Sequence, residues 1–143
     1  MALTLNHYSI RTAELEACRQ FYTEVVGLRV GPRPDFPFPG IWLYEGDTSV
    51  AANAVVHVIG VDPTAAAGLE GYLGARDAAS LQGTGVVDHI AFYAIGLPAM
   101  RQNLQRLGVD ARERTVPGLG LHQLFLTDPD GVVIEFNYPV AEA

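Results

Sequence analysis

One cysteine, Cys18, stands in 143 residues, so no disulfide can form within the chain. Such thiol usage suits a reducing cytoplasm, and Cys18 reads as a small apolar residue packed on a helix. Positive charge is also scarce: nine Lys and Arg face sixteen Asp and Glu, a formal net charge of −7. The basic residues are scattered, which argues against nucleic acid and anionic membranes as partners. Long hydrophobic runs are missing too. No stretch approaches the roughly 18 apolar residues that span a bilayer, and no basic segment precedes an apolar one as in a secretory signal. The expected location is the cytoplasm. A chain of this length buries about 70% of its unfolded surface, enough for one domain with its own core.

The hydrophobic pattern predicts a strand over 3–10 and a helix opening at Thr12 or Ala13. Leu15, Cys18, Phe21, Tyr22 and Val25 recur at helical spacing, and Gly27 stops them. Residues 29–39 are rich in Pro, Gly and Phe and read as an irregular loop, followed by strands over 41–44 and 54–59. Near Val86 the same order begins again: strand 87–94, helix 97–107 closed by Gly108, a strand near 109–114, then strands 121–127 and 132–138. The last two are joined by Asp128-Pro129-Asp130-Gly131, a strong turn signal. The Ala/Gly-rich segment 61–85 between the halves reads as a linker with a short helix within 65–79, covering part of a site.

The halves read as copies. A shift of 82 residues lays Asn6-His7 on Asp88-His89, and Leu15, Ala17, Arg19 and Gln20 on Leu97, Ala99, Arg101 and Gln102. The expected fold class is therefore α+β: two βαβββ modules, about 1–60 and 86–140, in one domain over 1–143. Their curved mixed sheets form a cup with the helices outside. The first and last strands of the two modules hold His7, His57, His89 and Glu135 in equivalent slots. Strand alternation turns Glu135 away from Ile134 and Phe136, and His89 away from Ile90 and Phe92, which are left for the helix. Imidazole and carboxylate suit one divalent ion among Fe, Mn, Zn and Ni. Trp42 and Tyr44, with Phe36 and Phe38, read equally as a candidate apolar wall for a substrate or as core, and Gln123 as a candidate polar contact. His122 reads as structural or exposed, and Arg19 and Arg101 as solvated surface charges.

These motifs resemble the vicinal oxygen chelate superfamily, which holds glyoxalase I, extradiol dioxygenases, fosfomycin-resistance proteins and bleomycin-resistance proteins. The resemblance rests on Asn6-His7, on 21–28 (FYTEVVGL), on 88–92 (DHIAF), and on 123–131 (QLFLTDPDG) running into Ile134-Glu135. It implies paired βαβββ modules, usually in a homodimer, with metal roles for His7, His89 and Glu135. His57 occupies a slot where glyoxalase I carries a carboxylate, and reads either as a fourth ligand or as a catalytic base. The implied activity is a divalent-metal enzyme chelating vicinal oxygens of a small organic substrate, as a glyoxalase-type lyase or isomerase or as a ring-cleaving dioxygenase. Two alternatives stand beside it. Fosfomycin-type thiol transfer needs a cationic cluster, and none is evident in the sequence. A metal-free binding protein of bleomycin-resistance type would have no use for the His/His/Glu set.

Overall fold

Alternating apolar residues draw eight short segments into two four-stranded sheets of mixed direction. The computed structural model describes residues 2, 5–62, 64, 67–75, 78–85 and 87–143. Residues 3 and 4 of the expected first strand, 65, 66, 76 and 77 of the expected linker helix, and Val86 lie outside them. The chain divides into two compact units, Met1–Gly83 and Thr84–Ala143.

In the first unit, β1 (Tyr8–Thr12) leads into α1 (Leu15–Gln20), a π-helical turn (Phe21–Val25), β2 (Arg29–Gly31), β3 (Gly40–Tyr44) and β4 (Ala54–Gly60). Helix α2 (Ala67–Leu73) follows, inside the span expected to hold one. The sheet order is β1-β4-β3-β2, with β1 parallel to β4 and the other pairs antiparallel. The Thr12 hydroxyl accepts the Glu14 amide at 2.9 Å in the turn that leads from β1 into α1. The wider turn is closed by Val26 N–H donating to Phe21 O at 3.1 Å. Cys18, Tyr22 and Val25 are buried along it, and α1 packs on β4.

The second unit repeats the path with β5 (His89–Tyr93), α3 (Leu97–Leu107), β6 (Arg112–Val116), β7 (Leu121–Thr127) and β8 (Val133–Pro139), in the order β5-β8-β7-β6. The α+β class and the doubled βαβββ path are as expected. Gly108, at φ +65°, ends α3 as the Gly signal predicts. Its N-terminus is capped from the end of the chain, where the Glu142 carboxylate accepts Gly96 and Leu97 N–H at 2.7 and 2.8 Å. Leu97 and Leu104 are buried on α3, as are Leu124, Leu126, Ile134 and Phe136 on the sheet. Among the described residues no helix is long and apolar enough to cross a membrane.

Several boundaries differ from expectation: β1 runs through Thr12, where a helix was expected to open, and α1 begins only at Leu15. Arg29–Gly31 is a strand, where a loop was expected, because Gly31 lets the Tyr44 ring close over β2; a Cβ there would lie 2.6 Å from Tyr44 Cδ2. Strand β6 starts later than residue 109, because Val109 N–H still bonds Leu104 O in the α3 cap and pairing opens at Arg112 opposite Phe125. Pairing of β1 opens at Tyr8 opposite Val56, so His7 lies just before the strand.

Candidate metal and substrate site

In the second unit, β5 and β8 are parallel neighbours, with His89 beside Val133 and Ala91 beside Glu135. Alternation puts His89 and Glu135 on one face, opposite the buried Ile134 and Phe136. Their facing atoms, His89 Nε2 and Glu135 Oε2, are 3.2 Å apart. The remaining atoms of both groups are engaged. His89 Nδ1–H donates to Asp88 Oδ1 at 2.6 Å, because a carboxylate can only accept. Glu135 Oε1 accepts from Gln123 Nε2 at 2.8 Å and from Asn137 Nδ2 at 2.7 Å. A carboxylate that is 7% exposed is thus satisfied on one oxygen and turned to the imidazole with the other. A separation of 3.2 Å suits two neighbouring ligands each about 2.0–2.2 Å from one ion, and the outer hydrogen bonds are those that orient metal ligands. The donor set fits a divalent cation.

In the first unit, His7 Nδ1 donates to Asn6 Oδ1 at 2.5 Å, the counterpart of the Asp88–His89 pair. Its ring stacks on His57 with centroids 3.7 Å apart and planes 18° apart. The other face of His57 stacks on Trp42 at 3.9 Å and 6°, because Trp42 is directly across β3–β4 from it. An imidazole lone pair lies in the ring plane. Nearly parallel planes at this spacing meet far beyond the 2.0–2.1 Å of a metal–nitrogen bond, so the two rings do not aim at one ion. His57 Nε2 is buried with no hydrogen-bond partner among the described residues. Burial, and next the charge of His7, push the His57 pKa down to about 4, against a smaller opposing effect of a hydrogen bond to the Ala54 backbone. The ring is neutral at ordinary pH.

The apolar wall is smaller than expected. Trp42 remains against His57, while the Phe36 ring, 6.4 Å from that of Trp42, stacks on Phe38. Tyr44 is 2% exposed and its hydroxyl donates to Pro32 O at 2.5 Å, so it belongs to the core. Phe38 packs with Ile59 and Leu69. Gln123, expected to touch substrate, is buried and fully engaged: it holds Glu135 and Asn137 and accepts Arg114 Nε at 2.6 Å. His122 is structural, between Thr115 at 2.9 Å and Glu113 at 2.7 Å. Arg101 is no mere surface charge, since it pairs with that same Glu113 at 2.6 Å and ties α3 to β6. Arg19 pairs with Glu16 on α1.

Sequence reasoning passed over Asn6, Asp88 and Asn137. The signal was present: Asn6 and Asp88 precede the two repeat-related histidines, and Asn137 shares a face with Glu135. It also missed a cationic spot. Register places Arg112 opposite Phe125 and Arg114 opposite Gln123, on the face that carries Glu135.

Comparison with known proteins gives a consistent result. The sequence profile of the Glyoxalase/Bleomycin resistance protein/Dioxygenase superfamily matches residues 4–136. Glyoxylase I 4 of Arabidopsis thaliana is 28% identical over 135 residues, 92% of this chain and 68% of that protein. A glyoxalase family protein of Bacillus anthracis superposes with a TM-score of 0.68 at 19% identity, covering 97% of both chains. The fosfomycin resistance protein FosX of Listeria monocytogenes gives 0.64 at 13%, over 96% of this chain and 94% of that one. An antibiotic binding protein from a Streptomyces species gives 0.62 at 21%, over 97% and 98%. At these identities the structural matches show the fold.

Proposed function

The chain belongs to the Glyoxalase/Bleomycin resistance protein/Dioxygenase superfamily, and from that premise we propose that it is a divalent-metal enzyme acting on a small substrate through two adjacent oxygens. The observation that carries the reading is the 3.2 Å approach of His89 Nε2 and Glu135 Oε2, each held by its other atom. His7, His89 and Glu135 are the proposed ligands of one Fe, Mn, Zn or Ni ion, with His57 outside the ligand set because it stacks flat on His7. Bound there, the ion would supply Lewis-acid stabilisation of negative charge on the substrate's oxygens. Two neutral imidazoles and one carboxylate offset one of its two charges, which favours an anionic, bidentate substrate.

The chain's own residues do the rest. Asp88 and Asn6 hold His89 and His7 by their Nδ1 atoms, leaving each Nε2 as the donor. Gln123 and Asn137 fix Glu135 by Oε1. Neutral His57 is the proposed proton acceptor, through an Nε2 that is buried and has no hydrogen-bond partner among the described residues. Trp42 keeps that ring in place and water away from one of its faces. Ring cleavage of a catechol by dioxygen accords best with a two-His, one-carboxylate set that leaves coordination positions open. A glyoxalase-type lyase or isomerase is the second reading, supported by the likeness to Glyoxylase I 4.

The test is reconstitution with Fe(II), Mn(II), Zn(II) or Ni(II). Oxygen uptake with catechols, hemithioacetal turnover, and thiol addition to fosfomycin are then measured side by side. The proposal expects one metal per chain and turnover in the first or second assay, both lost in His89→Ala and Glu135→Ala. A protein that binds none of the four ions contradicts it.

A further inference from the structure

Strand β6 carries Arg112 and Arg114 on one face, both exposed, at the edge of the second sheet. Their guanidinium carbons lie 4.2 and 5.6 Å from the centroid of the Phe125 ring, so two cations sit against one aromatic side chain. Neither is within ion-pair distance of a carboxylate among the described residues, whereas Arg101 of the same unit pairs with Glu113. Arg114 is steadied through Nε by Gln123, which leaves its terminal nitrogens for another acceptor. In a chain of net charge −7, two unpaired guanidinium groups side by side form a local positive spot.

Beside Arg112 opens a cavity of about 670 Å³, lined also by Asp110, Phe125, Thr127 and Val133 among others, with Arg114 next along the same strand face. Val133, at one end of that lining, is the β8 neighbour of both His89 and Thr127, and Phe125, Thr127 and Val133 share the sheet face of His89 and Glu135. Phe125 stands between Arg112 and Glu135 across the strands. Two strand spacings separate these two backbones by roughly 10 Å, about the length of a substituted aromatic ring.

We propose that Arg112 and Arg114 form an anion subsite that selects substrates bearing a carboxylate or similar oxyanion on an apolar, ring-sized body resting on Phe125. Guanidinium matches a carboxylate with paired N–H donors, a geometry an ammonium lacks. The proposal deepens the reading of a metal enzyme by naming its substrate class, yet the anion subsite itself lies within one unit and needs no metal to bind.

The test uses benzoate and its neutral counterpart benzamide as probes, titrated into the purified, chelator-treated chain and followed by NMR. Expected is saturable benzoate binding, at least tenfold tighter than benzamide, weakening as salt is raised. In Arg112→Gln/Arg114→Gln, with an unchanged melting temperature, the two probes bind alike. Asp110→Asn, which removes a negative charge from the cavity lining, tightens benzoate. His89→Ala keeps the benzoate preference while losing metal, which separates failure of the metal reading from failure of this one. Equal binding of both probes to the native chain, absence of benzoate binding, or an unchanged preference in the double variant overturns the proposal.

Discussion

Glu135 is a carboxylate with its two oxygens put to different uses, and that division places Gln123 in the site as a positioning residue. Gln123→Ala leaves Oε1 with Asn137 alone, and the expected cost is a 10–100-fold loss of metal affinity, read by competition with a chelator. His57 is the residue on which ligation and proton transfer part. His57→Ala is expected to retain its metal and lose roughly 10²–10⁴-fold in turnover, with both measured on one preparation. Loss of metal in that variant would return His57 to the ligand set. The repeat made His7, His57, His89 and Glu135 legible as equivalent slots, and alternation gave Glu135 its facing. The His7–His57–Trp42 stack was not legible, because it depends on the β3–β4 register that sets Trp42 opposite His57. Tyr44 stood between wall and core for a related reason: its ring needs the space that Gly31 leaves, and only strand pairing brings the two together.

Elements with strong local signals matched their expected positions, α3 between Gly96 and Gly108 and β7 before the Asp-Pro-Asp-Gly turn. Strand β2 carried no such signal, since three residues beside a Pro-rich loop become a strand only through their partner. Helix α2 docks where no sequence pattern points: a Cβ on Gly68 would lie 1.9 Å from Pro37 O. Gly68→Ala is therefore expected to push α2 off the 36–38 loop and destabilise the chain by about 1–3 kcal/mol, read from denaturant unfolding. The joint between α3 and β6 has a pH signature. The Arg101 guanidinium first, and His122 next, hold the Glu113 carboxyl down to about 2, against an ordinary value of 4.5. A depressed folded value means the pair stabilises the fold above about pH 4.5 and loses that contribution as pH falls towards 2. Glu113→Gln should cost about 1 kcal/mol at pH 6, a figure discounted for partial solvent exposure, and almost nothing near pH 2. A melting-temperature difference that stays constant across that range would contradict the assignment.

At the scale of the molecule the charge deficit is uneven, with Arg112 and Arg114 in no ion pair among the described residues, on a face that also carries Glu135. Summed composition hid this: the i, i+2 spacing puts the two arginines on one strand face, and the β6–β7 register sets Phe125 across from Arg112. Each sheet leaves two edge strands, and Tyr93, on edge strand β5, is 91% exposed. Open edges and exposed aromatic surface need cover, so sedimentation at micromolar concentration is expected to show a homodimer. The central claim is that His7, His89 and Glu135 hold a single ion. An anomalous-scattering map from crystals of the metal-loaded protein tests it most directly. The account predicts one peak per chain, about 2.0–2.4 Å from His7 Nε2, His89 Nε2 and Glu135 Oε2, with the His57 nitrogens farther away. A peak that shares none of these three ligands, or no ordered ion in fully loaded protein, would contradict it.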